Sequence, residues 1–323
     1  MTKALIFGAG GVGCCYGYVL DKAGVEMTAV CRTNYEAVKS KGITMRSAIW
    51  GHHNYHPHTV RAVADANGPF DYILVCSKAF PGTARLIRDA VSPQTAIVLA
   101  QNGIAIEDEY AELYPSNTII SGVVYCPVTQ VEPGIVEMGP LEKFEIGTFP
   151  KTAPSEAKAK AQRLSDLFAA AGAHAPVFDD IQTRRWPKLA INASLNPTTA
   201  LSLCDDANLL RSSDLADGMV LTVMRQVAQI AAAEGYDISE DFIQEKLNFH
   251  RARKETGGKE PSMLVDVRNN RPMEVDAIIG NTIKIAKKHS IEVPHLDMLY
   301  ALSKALNFAI VKGDAWKPIL KIS

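Results

Sequence analysis

Hydrophobic positions in the first half of the chain fall in short continuous runs, whereas in the second half they recur every three to four residues. "KALIFGAG" (3–10) predicts a buried strand ending in glycines, and "GVGCCYGYVLDKAG" (11–24) a helix closing at Gly24. "EMTAVCR" (26–32) predicts a second strand and "NYEAVKSKG" (34–42) a second helix. "DYILVCSK" (71–78), "TAIVLAQNG" (95–103) and "TIISGVVY" (118–125) add buried strands, the first two separated by a helix around 82–91. Short, wholly apolar strands alternating with helices specify a parallel sheet covered on both faces. Two stretches break the rhythm. "GITMRSAIWGHHNYHPHTVRAV" (42–63) alternates like a hairpin, and "VTQVEPGIVEMGPLEKFEIGTF" (128–149) reads as a meander whose antiparallel strands join the sheet late.

From "SEAKAKAQRLSDLFAAAG" (155–172) onward the helical period takes over, interrupted by one strand-like segment, "HAPVFD" (174–179). Helices are expected at about 181–203, 214–235, 239–253, 274–290 and 295–312. The fold class is therefore α/β: a mostly parallel, doubly wound sheet with a second, all-helical C-terminal domain. The boundary is expected near residue 180, giving domains 1–179 and 180–323. No repeat or low-complexity tract separates them, so the halves are expected to pack closely around a cleft.

Composition narrows the class. At 323 residues, 47% hydrophobic and a formal charge of −1, the chain is an ordinary globular protein with no electrostatic attraction to nucleic acid or an anionic membrane. The N-terminus lacks a signal-peptide pattern, and no apolar run approaches the roughly 18–20 residues that span a bilayer. Six scattered cysteines without a CxxC pair suggest reduced thiols in the cytoplasm, with Cys14-Cys15 as packing rather than redox chemistry. "GHHNYHPH" gathers His52, His53, His56 and His58, but no nearby cysteine or acid supports a metal, and none is expected.

Gly8-Ala9-Gly10-Gly11-Val12-Gly13 is GxGxxG between a strand and a helix, which is the context of a Rossmann-type dinucleotide turn. Glycines there bring backbone N–H groups and a helix N-terminus against a pyrophosphate. At the end of the second strand, where an NAD site places an acid for the ribose 2′-hydroxyl, stands Arg32, followed by Thr33 and Asn34. A guanidinium suits a 2′-phosphate, so NADP(H) is favoured over NAD(H).

In "WPKLAINASLNPTTAL" (186–201), Lys188, Asn192 and Asn196 lie four apart and share a helix face amid apolar neighbours. Spacing alone fits a solvated stripe or an inter-domain network as well as a site. The company of other polar residues tips the balance. Lys78 follows one strand, and Gln101-Asn102-Gly103 another, at carboxyl ends where open α/β sheets bind ligands. Downstream, "PSMLVDVRNNRPMEVD" (261–276) presents Ser262, Asp266 and Glu274 around a loop entering a helix.

With these motifs in order the chain resembles the ketopantoate reductase (2-dehydropantoate 2-reductase) family, from residue 1 to about 295. It carries GxGxxG, the lysine of "CSKAF", "QNG", "KLAxNxxxNPxTAL" and "SMLxDVRxxRPxEVDxIIG". The resemblance implies a cytoplasmic NADPH-dependent reductase that turns a branched 2-oxo acid, ketopantoate, into (R)-pantoate on the route to pantothenate and coenzyme A. The substrate would lie between the domains. By the same resemblance Lys188 matches the proton donor, and Asn192, Asn196 and Ser262 match substrate contacts. Glu274 matches a residue at cofactor and substrate, expected to pair with Lys188 or to accept from a substrate or ribose hydroxyl. Lys78 and Asn102 match positions lining the cofactor.

One departure stands out. About ten residues past Asn196 the family places a further substrate-contacting asparagine, and here Asp206 occupies that position, unless a one-residue gap brings Asn208 there. A carboxylate beside an anionic ligand leaves open a member reducing another 2-oxo acid or a secondary-metabolite ketone. A non-catalytic NADPH-binding regulator is the alternative of another class, and a homodimer is left open. The acidic "IAIEDE" after QNG is unexpected beside phosphates, and "RARKETGGKEP" (251–261) reads as a mobile loop, a candidate closing lid.

Overall fold

The computed structural model describes residues 1–313. The chain divides into two units, residues 1–102 with 106–184, and residues 103–105 with those from 185 onward.

The first unit opens with β1 (Lys3–Phe7), α1 (Gly11–Lys22), β2 (Glu26–Val30), α2 (Tyr35–Lys41), β3 (Ile43–Ser47), β4 (Gly51–Tyr55) and β5 (His58–Val60). It continues with β6 (Tyr72–Val75), β7 (Ala96–Leu99), α3 (Asp108–Leu113), β8 (Thr118–Tyr125), β9 (Val128–Glu132), β10 (Ile135–Met138), β11 (Lys143–Phe149) and α4 (Ser155–Ala170). Among the described residues the main sheet has seven strands in the order β11-β8-β7-β6-β1-β2-β5. All neighbours run parallel except β11, which returns antiparallel to β8. "YILV" of β6 and "AIVL" of β7 are buried at every position, as strands covered on both faces must be. The chain runs outward from β1 through β2 to β5, then returns to β6 on the other side of β1. That reversal makes the carboxyl ends of β1 and β6 the topological switch point, where open α/β sheets leave a crevice.

The late meander departs from expectation. Only β11 joins the main sheet, while β9 and β10 pair with the 43–55 hairpin in a four-stranded sheet, β4-β3-β10-β9. The register between β10 and β3, Ile135 opposite Thr44 through Met138 opposite Ser47, joins two hairpins about ninety residues apart in sequence. Helix α1 packs against both sheets, which is why it is buried from Gly13 through Leu20 instead of along one stripe. "HAPVFD" contributes a single bridge, Val177 to Ile146, and 83–90 is a 3₁₀ turn, not an α-helix.

The second unit is helical: α5 (Gln182–Ser202), which starts in the last residues of the first unit, α6 (Asp206–Arg211), α7 (Ala216–Ala233) and α8 (Glu240–Thr256). Then come α9 (Ser262–Arg268), a π-helical turn (Asp276–Gly280), α10 (Asn281–Lys288) and α11 (Pro294–Lys312). Trp186, Leu189 and Ala193 of α5 share a core with Val223, Val227 and Ile230 of α7, Ile278 and Ile279 of the π turn, and Leu296 of α11. The short helices α3, α6 and α9 are not visible in the apolar period, because six or seven residues span less than two full turns. Among the described residues no helix is long and apolar enough to cross a membrane.

Candidate functional site

The glycine turn is shaped by packing. Gly8 has φ +101°, and a Cβ on it would lie 2.5 Å from the Ser77 nitrogen; a Cβ on Gly13 would lie 2.2 Å from the Gly8 carbonyl oxygen. Both positions need glycine for the close approach of β1, α1 and the chain leaving β6. Gly10 differs, being exposed with nothing within 4 Å of where its Cβ would stand. It precedes α1 without any side-chain cap, and the helix's first backbone bond runs from Cys14 to Gly10. Gly10 thus leaves an open face at the start of α1, beside the switch point, while a Cβ on Gly11 would lie 2.9 Å from the Val128 carbonyl oxygen. A closed-in turn with one open face fits the pyrophosphate of a dinucleotide.

The neighbouring strand ends carry the other cofactor candidates. Arg32 lies two residues past β2, exposed and, among the described residues, with no side-chain bond or ion pair. Arg61, at the end of adjacent β5, stacks its guanidinium 4.0 Å from the Tyr35 ring centroid and pairs with Glu36. Lys78 and Asn102, both half-buried, follow β6 and β7. Gln101 ties those two loops together, its amide donating to the Ser77 carbonyl at 2.9 Å while its oxygen accepts from the Tyr110 hydroxyl at 3.3 Å.

Asn34 was visible in sequence only as a neighbour of Arg32. Its side-chain amide donates to the Ala9 carbonyl at 2.7 Å and to Gln130 Oε1 at 3.2 Å, so it anchors the glycine turn instead of capping its own helix. In the acidic run after QNG, the first acid turns inward. Glu107 is fully buried and accepts from the Ser121 hydroxyl at 2.5 Å and the Gln182 amide at 2.9 Å, inside its own unit. Burial pushes the thiols of Cys14, Cys15 and Cys76 well above the ordinary cysteine range, with the Cys126 hydrogen bond the first cause at Cys15, which suits packing. In the histidine hairpin, His53 bonds to the Trp50 carbonyl and stacks on Tyr18. Among the described residues no group of His, Cys, Asp or Glu could hold a metal ion.

In the helical unit, α5 aligns Lys188 and Asn192, both half-buried, with Asn196, only 4% exposed. The neighbouring hydroxyls are committed, Ser194, Thr198 and Thr199 donating back to Ala190, Ser194 and Leu195 carbonyls at 2.9, 2.7 and 2.8 Å. The two amides are not. Among the described residues neither the Asn192 nor the Asn196 side chain makes a hydrogen bond, and neither amide is among the polar atoms sealed from solvent without a partner, so both stay open to water or to a ligand.

Ser262 begins α9, exposed, behind Pro261, which offers no capping group. Glu274 is buried between Met273 and Val275 just ahead of the π turn. Its stretch is pinned by α11: Met273 N–H donates to Asn307 Oδ1 at 2.8 Å, and Asp276 receives the Tyr300 hydroxyl and Lys304 Nζ at 2.9 Å each. On the other side, Ile104 N–H donates to the Ala277 carbonyl at 3.0 Å, and a Cβ on Gly103 would strike that oxygen at 2.4 Å. Gly103 (φ +107°) is therefore glycine for contact, and its own carbonyl accepts from Arg185 at 3.0 Å. A π turn inserted here is common near functional residues.

Asp206 does not present itself to a ligand. It is 1% exposed, with Oδ1 taking the Lys259 N–H at 2.6 Å and Oδ2 taking His250 Nδ1 at 2.7 Å and Arg253 at 2.5 Å. Burial would raise the Asp206 pKa, but the hydrogen bonds from His250, Lys259 and Arg253 outweigh burial and hold it down to about 2. Asn208 is occupied in capping, its N–H and amide both donating to Asp205.

Comparisons with known proteins agree with this architecture. Residues 4–151 match the family model described as Ketopantoate reductase PanE/ApbA, and residues 180–307 match its C-terminal counterpart. The solved 2-dehydropantoate 2-reductase from Methylococcus capsulatus is 33% identical, with a TM-score of 0.84, covering 95% of this chain and 97% of that one. An uncharacterized Saccharomyces cerevisiae protein, YDL144C, is 31% identical over 94% of this chain and 92% of its own length. D-mandelate dehydrogenase, solved with NADH and anilino(oxo)acetate, shares the fold at 22% identity and a TM-score of 0.85, covering 96% of this chain and 100% of that one. With both halves of the chain matched in order, this protein belongs to the ketopantoate reductase family of oxidoreductases.

Proposed function

We propose that the chain reduces 2-dehydropantoate to (R)-pantoate with NADPH, Lys188 serving as proton donor. The observation that carries the reading is the α5 column, an ammonium in register with two amides whose hydrogen-bonding capacity is unspent within the described protein. When bound, NADPH supplies the hydride for the ketone carbon. The turn 8–13, with Asn34 behind it, holds the pyrophosphate; Arg32 takes the 2′-phosphate; Lys78 and Asn102 line the dinucleotide.

As the carbonyl oxygen gains charge, Lys188 donates a proton from Nζ, so the alkoxide never stands free. Asn192, Asn196 and Ser262 orient the carboxylate and hydroxyl groups of the acid with neutral donors and acceptors. Glu274 pairs with Lys188 or accepts from a hydroxyl of substrate or ribose. A buried acid next to an anionic substrate needs such a partner. All five groups are present in family order, which disfavours a regulator that has lost its chemistry.

A second reading, reduction of a different 2-oxo acid, is favoured by one observation: the carboxylate of Asp206 stands where the family has a substrate-contacting amide, and its oxygens are already taken. Steady-state NADPH oxidation with a panel of 2-oxo acids separates the two. Ketopantoate should give the highest kcat/KM; if it fails to beat 2-oxoisovalerate, the named substrate is wrong and the reductase class survives.

Lys188→Ala is expected to lower kcat by about two to four orders of magnitude, the scale for loss of a general acid, while NADPH still binds by fluorescence titration. Near-normal turnover would remove Lys188 from the proton transfer. Arg32→Asp should raise the KM for NADPH by about tenfold or more, from loss of a charge-assisted contact, with little change for NADH. Equal changes for both cofactors would count against 2′-phosphate recognition.

A further inference from the structure

Residues 251–261 read in sequence as a mobile loop before Ser262, a candidate closing lid; 251–256 instead belong to α8, and the remaining 257–261 is fastened at three points. Lys259 is gripped from both sides by Asp206: its N–H donates to Oδ1 at 2.6 Å, and its carbonyl accepts the Asp206 N–H at 3.1 Å. Gly258 lies flush against the start of α6, where a Cβ would stand 2.0 Å from Asp205 Oδ1. Glu260 pairs with Arg268 of α9 at 2.8 Å, and Arg268 also donates to the Leu203 carbonyl, just past the end of α5, at 3.4 Å. The other oxygen of Asp206 is held by His250 and Arg253 of α8, with Arg253 stacked 4.5 Å from the Phe249 ring. One buried carboxylate thus joins α6, α8 and the loop that ends three residues after Lys259 at Ser262.

We propose that Asp206 is a positioning residue: it no longer touches substrate as the family's asparagine does, but clasps the 257–261 loop and so sets where Ser262 meets the 2-oxo acid. The proposal rests on the reductase reading for its functional half, and on the contacts alone for its structural half. An amide at this position could not take the place of the anion. It could accept from Lys259, but its NH₂ would face the donors of Arg253 and His250, leaving the half-buried Arg253 cation without its counter-charge. The departure from the family pattern at residue 206 is thereby matched by Arg253 and His250 on α8, which supply the charge the carboxylate needs. Because Asp206 reaches Ser262 through backbone, its loss should shift substrate binding more than the chemical step.

Asp206→Asn tests this by two independent readouts. Amide hydrogen exchange across 257–262 needs no substrate, and should rise by about tenfold or more once the clasp is lost. In turnover, the KM for the preferred 2-oxo acid should rise about tenfold while kcat and the KM for NADPH stay within about twofold. Arg253→Gln, which leaves Lys259 and His250 in place, should give the same split at smaller size and serves if Asp206→Asn does not fold. Exchange equal to wild type in these variants overturns the clasp. Raised exchange with an unchanged 2-oxo acid KM, or a kcat loss as large as the KM change, overturns the positioning role. If the wild-type protein turns over no 2-oxo acid, the reductase reading falls and the positioning role with it, while the exchange result still decides the clasp.

Discussion

A nearly buried amide without a partner is the constraint on which the account depends. Asn196 is 4% exposed, yet its amide keeps contact with solvent and makes no hydrogen bond within the described protein. The same helix spends its serine and threonine hydroxyls on its own carbonyls, so α5 has the means to satisfy polar groups and does not do so for Asn192 and Asn196. Amides left open in this way suit a ligand, and the proposed 2-oxo acid, with a carboxylate and a ketone to be oriented, has the matching groups. Lys188 lies one turn before Asn192 on the same face, which is the placement the proposed proton transfer uses.

The nucleotide end follows a different logic, in which backbone does the work and side chains brace it. Gly8 and Gly13 are excluded from being anything larger by contacts of 2.5 and 2.2 Å, while Gly10 leaves the open face. Asn34 and Gln101 touch carbonyl oxygens of the turn and of the loop after β6, fixing the shape of the strand-end crevice from behind. Glycine supplies the approach, and buried amides keep it from relaxing. In the helical unit, Asn307, Tyr300 and Lys304 brace the Glu274 stretch in the same way.

What could be read from sequence was local. The glycine turn, the strand-end positions of Arg32, Lys78 and Asn102, and the four-residue column on α5 each declare themselves within one element's period. The partners of Asp206 could not be read, because His250, Arg253 and Lys259 lie more than forty residues downstream and meet it only through packing. Asn34 escaped for the same reason, its acceptor Ala9 being 25 residues upstream in the glycine turn. The second sheet escaped because hairpin signals fix the turn but not which edge the hairpin will join; the pairing of β10 with β3 is a long-range choice. The π turn looks helical in any periodicity, and only the hydrogen bonding separates it from α10.

The most direct measurement replaces Asn196 with the apolar isostere, leucine, and follows thermal stability and keto acid affinity together. If the amide is held in reserve for a ligand, removing a group that has no partner within the protein leaves the free protein about as stable, with a Tm shifted by no more than about 2–4 °C, the scale of 1 kcal/mol for a domain of this size. Affinity for the 2-oxo acid should fall at the same time by about tenfold or more. A protein that loses several degrees of Tm yet binds the acid as before would show that Asn196 serves the fold, and the account built on α5 would fail.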